Sequence, residues 1–330
     1  MSLFVDLWDF FGQLILPLCC TMKPKIDLKV TKIAQLEGHL DAVYALSESD
    51  ERGVFFSAGA DGFIARWQTN ALKDAQLIVK ISASVYCFQY IKDLNLMAIA
   101  QRNGGVHLVD LNLKREINLF QVSQQAVFAL TYNTATKILY AGDQNGVLTQ
   151  IDLEYFKIVG QQKISEKAIR SLDLNIESTV LAVGCSDGCI YLVDVGSHKI
   201  DATLAAHGSS VFAVRHSPCG GFLVSGSRDA HLNIWTIVDG KYALKTSIGA
   251  HLFTINCIRF CPNKLLLATA SRDKTIKIWD TNTFELLKVI DFERYQSHRH
   301  SVNTLIWTND YLLSAGDDKR INVFEIDFES

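Results

Sequence analysis

The chain has 330 residues, 48% of them hydrophobic and 20% charged, the balance of an ordinary globular protein with ample material for a buried core. Its 32 Lys and Arg stand against 35 Asp and Glu, a net charge of −3 scattered singly along the chain. That is not the basic face or stripe of a nucleic-acid binder, and no nucleic-acid partner is expected. Eight cysteines, at 19, 20, 87, 185, 189, 219, 257 and 261, lie in a chain far too long to be a small disulfide scaffold.

In chain order, the first segment is the apolar stretch 1–21, MSLFVDLWDFFGQLILPLCCT, which carries Asp6 and Asp9 and no Lys or Arg. A secretory signal needs a basic start and a small-residue cleavage site, and a spanning helix needs about 20 uninterrupted apolar residues. Neither pattern is present. Three readings stay open: an amphipathic helix for a membrane or a partner, a segment packed on the domain that follows, or an over-long start whose initiator is Met22. Residues 1–28 are therefore read as an N-terminal extension and 29–330 as one folded domain. A membrane enters the expected partners only through residues 1–21.

From there the chain repeats itself. The fragments VYAL from Val43, VYCF from Val85, VFAL from Val127, IRSL from Ile169, VFAV from Val211, INCI from Ile255 and VNTL from Val302 are separated by 42, 42, 42, 42, 44 and 47 positions. A second column keeps the same register. Asp61, Asn103, Asn145, Asp187, Asp229, Asp273 and Asp318 each lie six residues before Trp67, Val109, Ile151, Val193, Trp235, Trp279 and Phe324. The Asp or Asn falls in clusters such as GADGF, RNGGV and SDGCI, between short runs rich in β-branched residues, as in two strands joined by a tight turn. With only four prolines and no helical period after residue 25, four short strands per unit is the economical reading. Such a unit cannot bury both faces alone, whereas seven arranged radially can.

At Gly38-His39, Ala206-His207, Ala250-His251 and Ile278-Trp279-Asp280 the chain resembles the WD40-repeat family, and the resemblance covers about residues 29 to 326. It implies an all-β, seven-bladed WD40 propeller with a four-stranded antiparallel sheet in each blade. Each repeat would supply three strands of one blade and the outer strand of the blade before it. The segment Lys29 to Leu36 would then pair beside Arg320 to Ile326 and close the ring. Units two to four depart from the family marks, with Ile81, Ser123 and Ser165 in the His column and Val109, Ile151 and Val193 in the Trp column; this puts the side-chain networks there in doubt, not the blades.

Three units bring together His39, Ser57, Asp61 and Trp67; His207, Ser225, Asp229 and Trp235; and His251, Thr269, Asp273 and Trp279. Ser, His and Asp together invite a hydrolase reading. A catalytic centre is normally built once, however, and here His and Asp recur 22 residues apart. Repetition argues for a hydrogen-bonded scaffold, which matches the structural tetrad that the resemblance implies, and no catalytic residue is assigned. Unit seven has His298, Ser314 and Asp318 but Phe324 in place of the indole, so its network is expected to be the weakest. The spacing of Cys185 to Cys189 and of Cys257 to Cys261 is not the CxxC of zinc sites, and His298 with His300 is read as part of a polar surface loop, FERYQSHRHS. No metal and no cofactor are expected.

The resemblance places the Asp-bearing turns and the start of each inner strand on one rim, the top face, where partners bind. The column after the first apolar residue of the inner strand reads Tyr44, Tyr86, Phe128, Arg170, Phe212, Asn256 and Asn303; the column before the turn includes Arg102, Arg228 and Arg272. Tyr44, Tyr86, Phe128, Arg170, Phe212, Arg102, Arg228 and Arg272 are the candidate partner-binding residues, because aromatics and Arg concentrate at interface centres and Arg grips carboxylate or phosphate. The alternative at this point is that the aromatics only fill space between blades. The next column, Ala45, Cys87, Ala129, Ser171, Ala213, Cys257 and Thr304, is uniformly small, as packing near a propeller axis requires. The expected function is a cytoplasmic, non-catalytic scaffold that binds other proteins, including acidic or phosphorylated peptide segments. The alternative is a propeller enzyme or small-molecule receptor with a site in the central channel.

Overall fold

A computed structural model describes residues 28–69, 75–308 and 311–328. The apolar N-terminal stretch, and every expectation that falls on residues 1–27, lies outside them. Seven antiparallel sheets of four strands stand in a ring, each sheet running from an inner strand at the axis to an outer strand at the circumference. The first six blades are contiguous in sequence. The first, for example, consists of Val43–Glu48, Val54–Gly59, Phe63–Gln68 and Gln76–Lys80.

The gradient of side chains across a blade explains its position. The second strand has apolar or small residues on both faces and is buried along its whole length in Val54–Gly59, Leu96–Gln101 and Leu266–Ser271. The outer strands Ile200–Ala205 and Lys157–Lys163 are largely exposed. The core therefore lies between blades rather than inside any one of them. Leu36, Leu313, Ala315 and Ile321 of the seventh blade pack with Val43, Leu46, Phe55 and Trp67 of the first. A blade alone would expose these faces, which is why the repeats are stable only as a ring.

The seventh blade is assembled from both ends of the propeller. Val302–Trp307, Tyr311–Gly316 and Ile321–Phe328 are completed by Leu28–Leu36, which pairs antiparallel with Ile321–Phe328 from Leu28 opposite Phe328 to Leu36 opposite Ile321. The ring is closed by strand pairing, as the repeat pattern implies. Closure leaves no open sheet edge at the join between first and last blades.

Every inner strand carries a bulge at its first turn. The pairing register shifts between Val43 and Ala45, Val85 and Cys87, Val127 and Ala129, Ile169 and Ser171, Val211 and Ala213, Ile255 and Cys257, and Val302 and Thr304. The extra residue in each case is a member of the Tyr44, Tyr86, Phe128, Arg170, Phe212, Asn256, Asn303 column. A bulge bends its strand and re-aims the side chain of the inserted residue. Here it delivers all seven side chains to the wall of the central channel.

The connection into the seventh blade corrects the sequence reading. Phe292–Tyr295 forms a single helical turn, capped by the Asp291 carboxylate, which accepts from the Arg294 N–H at 2.9 Å. His298 is fully buried, while His300 two residues on is exposed. The two histidines are therefore not one polar surface cluster, because Asp318 and Ser314 draw the His298 ring inward.

Candidate functional site

The top rim is defined by backbone geometry. The N–H groups of Ala60, Arg102, Gln144, Ser186, Arg228, Arg272 and Asp317 donate to the carbonyls of Ala42, Ser84, Ala126, Ala168, Ser210, Thr254 and Ser301 at 2.8–3.0 Å. The residue before each turn is thereby tied to the residue just ahead of the inner strand of its own blade. Arg102, Arg228 and Arg272 are exposed on this rim and make no side-chain hydrogen bond or ion pair among the described residues.

Inside the rim the aromatic column is continuous. The rings of Tyr44 and Tyr86 have centroids 5.6 Å apart, and those of Tyr86 and Phe128 5.2 Å apart. The Arg170 guanidinium lies 4.1 Å from the Phe128 centroid and 5.2 Å from that of Phe212, and its Nε–H donates to Ser186 Oγ at 3.0 Å. Tyr44, Tyr86, Phe128, Arg170 and Phe212 thus form one contiguous arc over five blades, its rings tilted by 40° and 53° to one another and all five side chains partly buried. Asn256 and Asn303 complete the circle: Asn256 donates to Val302 O and Asn303 to Val43 O, at 2.9 and 3.1 Å. Burial raises the Tyr44 hydroxyl above its usual range, helped by the nearby Asp317 and Asp41 carboxylates, and burial also lowers Arg170. The mouth is therefore basic over blades two, four, five and six and acidic where blades seven and one meet.

Exposed apolar side chains, which the repeat alignment does not single out, share this rim. Leu40 and Leu252 are 68% and 83% exposed, next to Phe253 at 59%. Both leucines are held there by their backbone, whose N–H groups donate to Asp61 Oδ2 and Asp273 Oδ2 at 2.9 and 3.0 Å. Their position directly after His39 and His251 is the sequence signal for them.

Beneath the rim run the hydrogen-bonded chains. In blade one His39 Nδ1 is 2.9 Å from Asp61 Oδ2 and its Nε2 2.7 Å from Ser57 Oγ, which accepts from Trp67 Nε1–H at 2.7 Å. Blade five repeats this with His207, Asp229, Ser225 and Trp235 at 3.2, 2.8 and 3.1 Å. Blade six does so with His251, Asp273, Thr269 and Trp279 at 2.9, 2.8 and 2.9 Å. The indole can only donate, which passes the hydroxyl proton to Nε2 and leaves Nδ1–H for the carboxylate. Burial lowers the proton affinity of His207 and His251, so both rings are neutral. Burial pushes the Asp273 carboxyl up, but hydrogen bonds from His251, Thr275 and the Leu252 N–H outweigh it and hold it well below the usual carboxylate range. Ser57, Ser225, Thr269 and Ser314 are 0% exposed, so none of these hydroxyls can meet a substrate. Blade seven has the His298 contacts to Asp318 and Ser314, both 2.8 Å, without an indole donor.

Blades three and four solve the same problem with a shorter link. Ser123 donates to Asp143 Oδ2 at 2.6 Å, and Ser165 to Asp187 Oδ2 at 2.5 Å. Asp143 lies two residues before Asn145, the member of the turn column in that unit, and takes the N–H of both Asn145 and Val147. In blade two the corresponding residue is Gln101, whose Oε1 is buried without a partner.

The arc and the small column enclose a central cavity of about 420 Å³. Cys87 and Cys257 belong to its wall, and burial pushes the Cys87 thiol up. Further along the inner strands the wall carries Arg215 and Arg259, which sequence reasoning missed. Among the described residues no group of three or more His, Cys, Asp or Glu could hold a metal ion, and no helix is long and apolar enough to cross a membrane.

The family described as WD domain, G-beta repeat matches residues 30–68, 199–236 and 243–280. Each match starts on the outer strand of one blade and continues through three strands of the next, the arrangement that closes the ring. The three matches end on blades one, five and six, those with the complete His-to-Trp chain. With three such repeats and seven four-stranded blades in a closed ring, the chain matches the WD40-repeat β-propellers, a class that generally binds other proteins. No curated protein matches the chain.

Proposed function

We propose that this propeller is a non-catalytic, cytoplasmic platform whose top face holds peptide segments of other proteins, acidic or phosphorylated ones in particular. The observation that carries this reading is the contiguous arc from Tyr44 through Tyr86, Phe128 and Arg170 to Phe212. Pure space-filling between blades would leave these side chains pointing into the sheets, whereas the bulges turn them to the channel mouth. The arc offers rigid aromatic faces and a guanidinium whose position is already fixed by Ser186, so little conformational entropy is lost on binding.

Around it, Arg102, Arg228 and Arg272 have no side-chain partner among the described residues and are able to take a carboxylate or phosphate in bidentate fashion. Leu40, Leu252 and Phe253 add apolar contact at the periphery. A peptide with an acidic group flanked by apolar residues complements this surface.

The test is binding to a panel of acidic, phosphorylated and neutral peptides, measured for the wild type and for the Tyr44, Tyr86, Phe128 and Phe212 to Ala variant, both shown folded by circular dichroism. Acidic or phosphorylated sequences should bind the wild type and weaken by about tenfold or more in the variant, as hot-spot truncation does. Binding of the same peptides by both proteins would place the contact elsewhere.

A further inference from the structure

The fifth position of the inner strands places Asp173, Arg215 and Arg259 on three successive blades. Arg215 reaches back to blade four, where Nη1 lies 2.7 Å from Asp173 Oδ1 and 3.3 Å from Leu172 O. Asp173 is fully engaged, since its other oxygen takes the His216 backbone N–H at 2.6 Å and the His216 ring at 3.1 Å. Arg259 has the same relation to blade five, but there the residue in the Asp173 position is Arg215. The register that gives Arg215 a carboxylate thus gives Arg259 a second guanidinium. The one hydrogen bond of its side chain among the described residues goes to the carbonyl of its own neighbour, Ile258 O, at 3.0 Å.

Burial lowers Arg259 and the Arg215 charge lowers it further, against a smaller opposing pull from Cys257 and the Asp173 carboxylate. Arg170 is three positions before the corresponding place on its strand, about 10 Å up the same wall at ~3.3 Å per residue. The residues lining the cavity include these three arginines and no Asp or Glu. One carboxylate, that of Asp173, thus serves the Arg215–Arg259 pair and is bonded to Arg215 alone, and a partly buried cation with so little counter-charge is costly unless an anion completes it. A cavity of about 420 Å³ is the size of a small-molecule pocket.

We propose that the channel is a binding site for a small phosphate-bearing molecule, its oxyanion held between the Arg215 and Arg259 guanidiniums. The site lies below the aromatic arc and does not depend on a peptide binding above it. Arg215, fixed by Asp173, presents its remaining N–H groups. Arg259 exchanges a weak carbonyl contact for a charge-assisted bond to phosphate.

The experiment uses pyrophosphate as the probe, with sodium chloride of matched ionic strength as reference, and reads both calorimetric binding and the thermal midpoint. The wild type should bind pyrophosphate and gain thermal stability beyond the chloride reference. Arg259→Met, which keeps the volume of the side chain, should weaken binding at least tenfold, and Arg259→Lys should retain more of it than Met does. Hydrogen–deuterium exchange on the wild type guards against a variant that fails to fold: protection is expected in 211–216 and 255–260. No binding by the wild type, equal binding by Arg259→Met, or protection confined to the turns at Arg102, Arg228 and Arg272 would each overturn the proposal.

Discussion

The hydroxyl of Ser57 has two partners, the His39 ring and the Trp67 indole, whereas that of Ser314 has the His298 ring alone. Replacing Ser57 with Ala orphans a buried acceptor and a buried donor together, and each unpaired group costs about 1–3 kcal/mol. Ser314→Ala orphans one. Urea unfolding should show Ser57→Ala more destabilised than Ser314→Ala by roughly 1–3 kcal/mol, and equal losses would mean that the indole bond adds nothing. These networks are legible in the sequence because His, Ser or Thr, Asp and Trp repeat at fixed spacing. The Ser123 link to Asp143 is not, because the carboxylate moves two positions away from the turn column while the register stays intact. Arg259 escapes for another reason: no column of like residues marks it, and its meaning lies in the identity of the residue on the neighbouring blade.

At the scale of strands, local chemistry settles most of the architecture. Gly104 shows why glycine recurs in the turns: φ is +80°, and a Cβ there would come within 2.0 Å of Ser123 O. Strand number and register follow from such turns and from the apolar runs between them, so the blades can be read from sequence even where His and Trp are missing. The bulge cannot, since an inserted residue is visible only once two strands are paired. It is the bulge that decides where Tyr86 or Phe128 points. The closing strand Leu28–Leu36 joins the first repeat to the last, and it buries Leu28 and Leu36 almost completely. Burying each leucine contributes about 1.5–3 kcal/mol, apart from the ladder of backbone bonds lost with the strand. Removing residues 28–36 should lower the thermal midpoint by ~10 °C or more, at roughly 2 °C per kcal/mol, the low end of the range because the chain exceeds about 250 residues. A midpoint unchanged by the deletion would contradict closure through this pairing.

At the scale of the whole molecule, the ring converts seven weakly similar repeats into one asymmetric surface. The same inner-strand position carries an aromatic ring on blades one, two, three and five, Arg on four, and Asn on six and seven. The fold needs only that this position be a bulge, and the identity of its side chain is free for recognition. Outer strands of blades two and three also expose apolar residues, with Leu119 at 45% and Val159 at 46%, and they offer a rival surface. Site-specific photo-crosslinking separates the two. A photoreactive amino acid is placed at Ala60 on the top rim or at Leu119 on the circumference, and adducts formed with cellular proteins are identified by mass spectrometry. Adducts that form from position 60, fail to form from position 119, and are competed by the acidic or phosphorylated peptides are the expected result. Adducts arising only from position 119, or from position 60 without competition, would contradict a top-face platform.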